Sequence, residues 1–213
     1  MRATGRLLRG KLTYYVIGVT LLFGHSIFGH PVTWKDGMST STLLSNSKTE
    51  HQVFYSYTAK QAVGIYGISI NNESYGFIQK NTLIKRWNGT GFQGNIYTMV
   101  GLGVTGSRKK TPAMHVAIQG DWETRQFYTQ GLIQGLITEK SIYLVQGRVG
   151  WAPYLVGFDD LSTWLILQLN TTVTTYTTTY KLLPVVRLFK GGVLVELGSN
   201  FKDRHMLKAM IHF

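Results

Sequence analysis

The chain has 213 residues, enough for one domain with a sizeable buried surface, and 44% of them are hydrophobic, which excludes a disordered protein. Charged residues reach only 15%, against about 25% in an ordinary soluble domain. The 24 glycines, 12 tyrosines, 10 phenylalanines and 5 tryptophans favour strands and turns, and the lack of cysteine removes disulfides, thiolate metal sites and a cysteine nucleophile.

At the start of the chain, Arg2, Arg6, Arg9 and Lys11 precede the apolar run "YYVIGVTLLFG" with no acidic residue among them. That order predicts a signal-peptide helix over residues 1–29, cleaved between Gly29 and His30 and leaving residues 30–213 as the exported protein. The 17 residues from Leu12 to Phe28 include His25 and fall short of the about 20 that a spanning helix needs. Loss of four basic side chains takes the formal charge from +12 to +8. An exported chain with that balance points to anionic lipid headgroups or small anionic solutes, and away from nucleic acid.

From residue 38 on, short alternating runs replace any helical period. They are "MSTSTLLS", "QVFYSYT", "AVGIYGISI", "YGFIQKNTLIKRW", "NIYTMVGLGVTG", "AMHVAIQGDW", "RQFYTQGLIQGLIT", "YLVQGRVGWAPY", "STWLILQLN", "YKLLPVVRLFK", "VLVELGS" and the stretch ending at Phe213. Breaks fall at polar or glycine-rich segments such as "SNSKTE", "NGTGFQG" and "GDWE". With 213 − 29 = 184 exported residues, each strand and turn takes about fifteen, which suits strands of about 9 to 11 residues tilted across a bilayer. The fold expected is all-β, a closed antiparallel transmembrane barrel of about twelve strands. A soluble periplasmic barrel with an apolar ligand is the alternative, and it would turn the apolar face inward.

The alternation sorts Val100, Leu102, Val145, Val149, Leu165, Leu167, Leu169, Val186, Leu197 and Ile211 onto one face, here assigned to lipid. The other face, assigned to the lumen, takes His115, Gln146, Arg148, Gln168, Arg187, Glu196, Lys208 and His212. Trp87, Trp122, Trp151, Tyr154, Trp164 and Phe189 fall near strand ends and read as interfacial aromatic girdles.

The final strand, with Leu207, Ala209, Ile211 and Phe213, resembles that of bacterial outer-membrane barrels. The resemblance implies a Gram-negative outer-membrane setting and makes Ile211 and Phe213 a signal to the barrel assembly machinery. The stretches "HPVTWKDG", "LIKRWN", "RVGWAPY", "STWLILQL" and "PVVRLFKG" resemble a group of uncharacterised proteobacterial outer-membrane proteins, some encoded near copper-handling genes. That likeness implies the same twelve-stranded fold and a hint of metal biology, with no activity attached.

The chemistry expected is modest and non-enzymatic, with no cofactor. "GLGVTG" lacks the helix a nucleotide loop needs, and a lipid hydrolase would need a serine beside His115, His205 or His212, which the sequence does not place. Arg148, Arg187, Glu196 and Lys208 form the charged lumen cluster of a small passive, anion-leaning pore or of a structural membrane protein. Arg108, Lys109 and Lys110 are candidates for lipopolysaccharide phosphates. A mature N-terminus at His30 would join an α-amine to an imidazole, and with His51 could hold Cu(II), since Pro31 lacks the amide hydrogen of the competing backbone mode.

Overall fold

Twelve strands form along these runs: β1 (Met38–Ser45), β2 (Lys48–Thr58), β3 (Gln61–Ile70), β4 (Glu73–Gly89), β5 (Phe92–Thr105), β6 (Pro112–Thr124), β7 (Phe127–Ile137), β8 (Ile142–Trp151), β9 (Ser162–Val173), β10 (Thr178–Lys190), β11 (Val193–Ser199) and β12 (His205–His212). The structure is a computed structural model that describes residues 30–70, 72–106, 110–157 and 160–213, and the described residues contain no helix. Residues 1–29, the expected signal peptide, and the basic residues Arg108 and Lys109 lie outside the described residues.

Each strand pairs antiparallel with its sequence neighbour, and β12 returns to β1 with Ser39 opposite His212 and Ser45 opposite Met206. Reciprocal bonds between the backbones of Met38 and Phe213 seal that seam. Closure leaves no edge, as hydrocarbon demands, because a strand N–H or C=O in lipid has no water to bond. The two-residue connection 90–91 ends on Gly91 at φ +83° and 191–192 begins with Gly191 at φ +57°, the left-handed backbone that tight hairpins need.

Parity then decides what faces where. Leu102 is 68% exposed, and Val100, Ile118, Val149, Leu165, Leu167, Leu169 and Leu197 are also exposed, whereas Gln79, Asn95, His115, Arg148, Gln168, Arg187 and Glu196 are buried. Outward positions carry mostly aliphatic side chains, while the interior mixes these polar groups with buried apolar ones such as Phe77, Tyr97 and Ile166, the arrangement of a barrel solvated by lipid. One mouth, here proximal, holds residues 30–37, the hairpins 59–60, 90–91, 125–126 and 191–192, and residues 152–157 and 160–161 between β8 and β9. The distal mouth holds 46–47, 138–141, 174–177 and 200–204.

Exposed aromatics ring both mouths. Trp34, Trp87, Trp122 and Trp151 are 41 to 47% exposed at the proximal mouth, with Tyr154 near them, while Tyr143, Tyr176, Tyr180 and Phe201 stand at the distal one. Along β8 the eight steps from Tyr143 to Trp151 cover about 26 Å of strand, or about 20 Å of membrane depth at a tilt near 40°. Two girdle assignments are corrected. Trp164 is buried inside, its indole N–H bonded to Ser162 at 2.9 Å, and Phe189 packs inside against Leu194 and Met210. Each neighbours an outward or half-exposed leucine, Leu165 or Leu188, so alternation turns it inward.

The lipid-facing assignment generates a test. Leu167, midway along β9, is expected to tolerate Phe, whereas Leu167→Arg should destabilise the barrel by roughly 2 to 4 kcal/mol, measured by urea titration in liposomes.

Candidate functional site: the charged interior

Strand register gathers the interior charges into rows. Arg187 stands opposite Glu196, Glu196 opposite Lys208, Lys208 opposite Leu43, and Leu43 opposite Glu50, so four charged groups share one row across five strands. A second row runs Gln168, Arg148, Gln130, Asp121, Asn95, Arg86. The last member turns inward because Ile84 is an extra residue between the Leu83–Tyr97 and Lys85–Ile96 pairs, which resets the parity of β4.

The rows meet at Glu196. Arg148 Nη2 donates to its Oε2 at 2.7 Å, reaching from β8 to β11, and Arg187 Nε and Nη2 donate to its Oε1 at 2.7 Å. Side-chain exposure of this triad is 1 to 4%. The Arg187 guanidinium also lies 4.7 Å above the Tyr128 ring, joining β10 to β7. Buried charges persist only when paired, and here one carboxylate serves two guanidiniums. Lys208, on the neighbouring strand, has no ion-pair partner among the described residues.

The remaining assigned lumen residues also lie inside. His115 sits between the amide oxygens of Gln79, at 2.6 Å, and Gln134, at 3.2 Å, with the Tyr66 and Phe77 rings beside it. Gln146 and Gln168 both donate to Asn170 Oδ1, at 2.9 and 3.2 Å. His212 lies near the proximal mouth, its ring 6.3 Å from Trp34. Ile211 faces outward and Phe213 is exposed beside the β1–β12 seam.

Three features exceed the sequence reading. Asp121 and Glu123 are buried in the interior because β6 runs on through "GDWE" to Thr124. Lys48 and Glu50, read as part of a break, belong to β2 and pair at 2.9 Å, with the Tyr66 hydroxyl on the same carboxylate at 3.1 Å. Residues 30–33 enter the proximal mouth. There His30 Nδ1 lies 3.6 Å from Asp121 Oδ2, the Pro31 carbonyl accepts from Asn81 at 2.9 Å, Val32 is 3% exposed among core residues, and Thr33 N–H donates to Ser56 Oγ at 3.0 Å.

Two other assignments do not come together. His51 is exposed on the outer face, bonded to Thr42 at 3.1 Å, so the barrel wall separates it from the buried His30 and the pair cannot share a copper ion. Lys110 is exposed at the distal mouth. Conversely, the register does bring a serine to a histidine: Ser199 Oγ lies 3.1 Å from His205 Nδ1. That oxygen also accepts the Phe201 N–H at 2.9 Å, as a turn cap does, and among the described residues no side chain bonds the other imidazole nitrogen to orient it as a base.

The interior holds two adjoining chambers of about 100 Å³ each, which share Lys48, Gln146 and Gln168 in their linings. The inner one is lined by Glu50, Gln79, His115, Arg148, Glu196 and Lys208, and the distal one by Lys48, Gln146, Gln168, Asn170, Lys181 and Arg204.

A closed lipid-facing barrel with a charged, hydrogen-bonded interior defines the class: a transmembrane β-barrel, of a fold that outer-membrane porins also have. Two solved structures share the fold. One is the KdgM porin, at 10% identity and TM-score 0.53 over 83% of this chain and 98% of the other. The second is KdgM porin in complex with disordered oligogalacturonate, at 10% identity and TM-score 0.54 over the same shares. No family model matches the sequence, and no curated protein does.

The triad yields a prediction. Glu196→Ala leaves two buried guanidiniums without their shared carboxylate and should cost about 3 to 5 kcal/mol, whereas the triple change Arg148→Met, Glu196→Leu, Arg187→Met should recover most of that loss in the same denaturant titration.

Proposed function

We propose that this chain is a narrow outer-membrane pore for small solutes that favours anions and is constricted at its proximal mouth by residues 30–33. The observation that carries the reading is the interior charge. Lys48, Arg86, Arg148, Lys181, Arg187, Arg204 and Lys208 reach inward against Glu50, Asp121, Glu123 and Glu196, an excess of 7 − 4 = +3. Fixed positive charge in a low-dielectric passage raises the local concentration of anions. The shared porin fold supports the reading, and so does the sign of the carboxylate-bearing ligand in the second KdgM structure.

On the same reading, residues 1–29 direct export and are then removed, and the distal mouth faces outward with exposed Lys110 near lipopolysaccharide phosphates. The proximal segment is held by hydrogen bonds and by Val32, with no covalent tie, so its seat can empty without unfolding the wall.

Planar-bilayer recordings test the pore. The protein should show small channels with a reversal potential on the anion side, and Lys208→Glu should move it toward the cation side; bilayers silent at high protein loading would overturn the reading. Val32→Asp would bury an unpaired carboxylate and should expel residues 30–33, raising single-channel conductance while heat-modifiable gel mobility stays unchanged.

A further inference from the structure

We infer that the distal chamber is a binding site for a small protonated oxyanion, with inorganic phosphate as its simplest member; this deepens the pore reading and rests on it. Three cations from separate parts of the chain line the chamber, Lys48 on β2, Lys181 on β10 and Arg204 in the connection 200–204, and its described lining holds no carboxylate. Their convergence follows from the wall. The ladder between β10 and β11 ends at the Val185–Gly198 pair, one residue short of Pro184, which has no N–H to continue it. Above that point the gap beside β10 is bridged by side chains. Arg204 Nη1 donates to the Tyr180 carbonyl at 3.4 Å, and Lys181 Nζ donates to Ser47 Oγ at 2.6 Å.

These cations are weakly compensated. Lys181 has no ion-pair partner among the described residues, and Arg204 Nε lies 3.9 Å from Asp203 Oδ2, a loose contact in an exposed turn. Lys48 alone is closely paired, with Glu50. Like charges drawn together without matching carboxylates favour a bound anion.

The amide groups sharpen the choice of anion. Lys181, Asn170 and Gln146 are successive members of one row. Because Gln146 and Gln168 both donate to the Asn170 oxygen, the Asn170 amide nitrogen, which has no acceptor among the described residues, remains available as a further donor. Gln168 is 3% exposed, lines the chamber, and carries an Oε1 with no donor. A buried acceptor beside cations and an amide donor suits a ligand with several acceptor oxygens and one O–H. Phosphate near neutral pH carries that hydroxyl and sulfate does not.

The test uses the refolded barrel in detergent, titrated calorimetrically with inorganic phosphate and with sulfate in chloride buffer. Saturable phosphate binding is expected, with sulfate about tenfold weaker, the worth of one hydrogen bond to a charged group. Lys181→Gln and Arg204→Gln should each weaken phosphate about tenfold, Lys181→Arg should retain it, and Gln168→Leu should narrow the gap between phosphate and sulfate. Heat-modifiable mobility reports folding of each variant, and Arg204→Gln, in an exposed turn, keeps the test available if the Lys181 variant fails to assemble. No saturable phosphate binding, or equal binding in the Lys181→Gln, Arg204→Gln double variant, would overturn the site. Anion conductance without phosphate binding removes the site and spares the pore; phosphate binding through Lys181 in a barrel that never conducts keeps the site and removes the pore.

Discussion

Hydrocarbon offers no hydrogen-bond partner to a peptide group, and that constraint shapes everything else in this protein. It forces closure, so β12 must find β1, and closure with alternation, reset only at bulges such as Ile84, leaves one side of every strand for lipid and the other for the interior. Polar side chains have nowhere else to go. The interior is therefore crowded by amides and charges that must satisfy one another at close range, and register, more than any local motif, determines which ones meet.

The triad around Glu196 shows how that crowding becomes architecture. Arg187 meets the carboxylate across a single ladder, but Arg148 reaches it from β8, with β9 and β10 in between. The bond ties separate parts of the wall together and leaves small chambers on the inner side instead of a wide passage. Narrowness and charge thus have one origin.

Much of this was legible in the sequence because period-two alternation survives in any strand with lipid on one side. Leu165, Leu167 and Leu169 place Gln168 inside with no structural input, and a tight hairpin at 191–192 aligns Arg187 with Glu196. Other features were masked by composition. "GDWE" and "SNSKTE" have the polarity of turns, so Glu123, Lys48 and Glu50 did not read as strand residues, and Asp121, at the end of the run "AMHVAIQGDW", was not placed in the lumen; in a barrel, inward strand positions and turns draw on the same polar residues. Trp164 misled in the opposite way, since an aromatic near a strand end suggests an interface although its neighbour Leu165 already points to lipid. The Arg148–Glu196 bond and the seat of residues 30–33 depend on the shape of the cross-section, which no local pattern encodes.

All five tryptophans belong to the proximal side of the barrel, four exposed at its rim and Trp164 just inside it, while the exposed aromatics of the distal rim are tyrosine and phenylalanine alone. Indole emission from this protein is accordingly a one-ended optical probe. During folding into vesicles, a blue shift would time the arrival of the proximal rim in the headgroup region, and depth-graded quenchers in one leaflet would reveal which way round the barrel has inserted. The chain carries its own vectorial dye, with no label required.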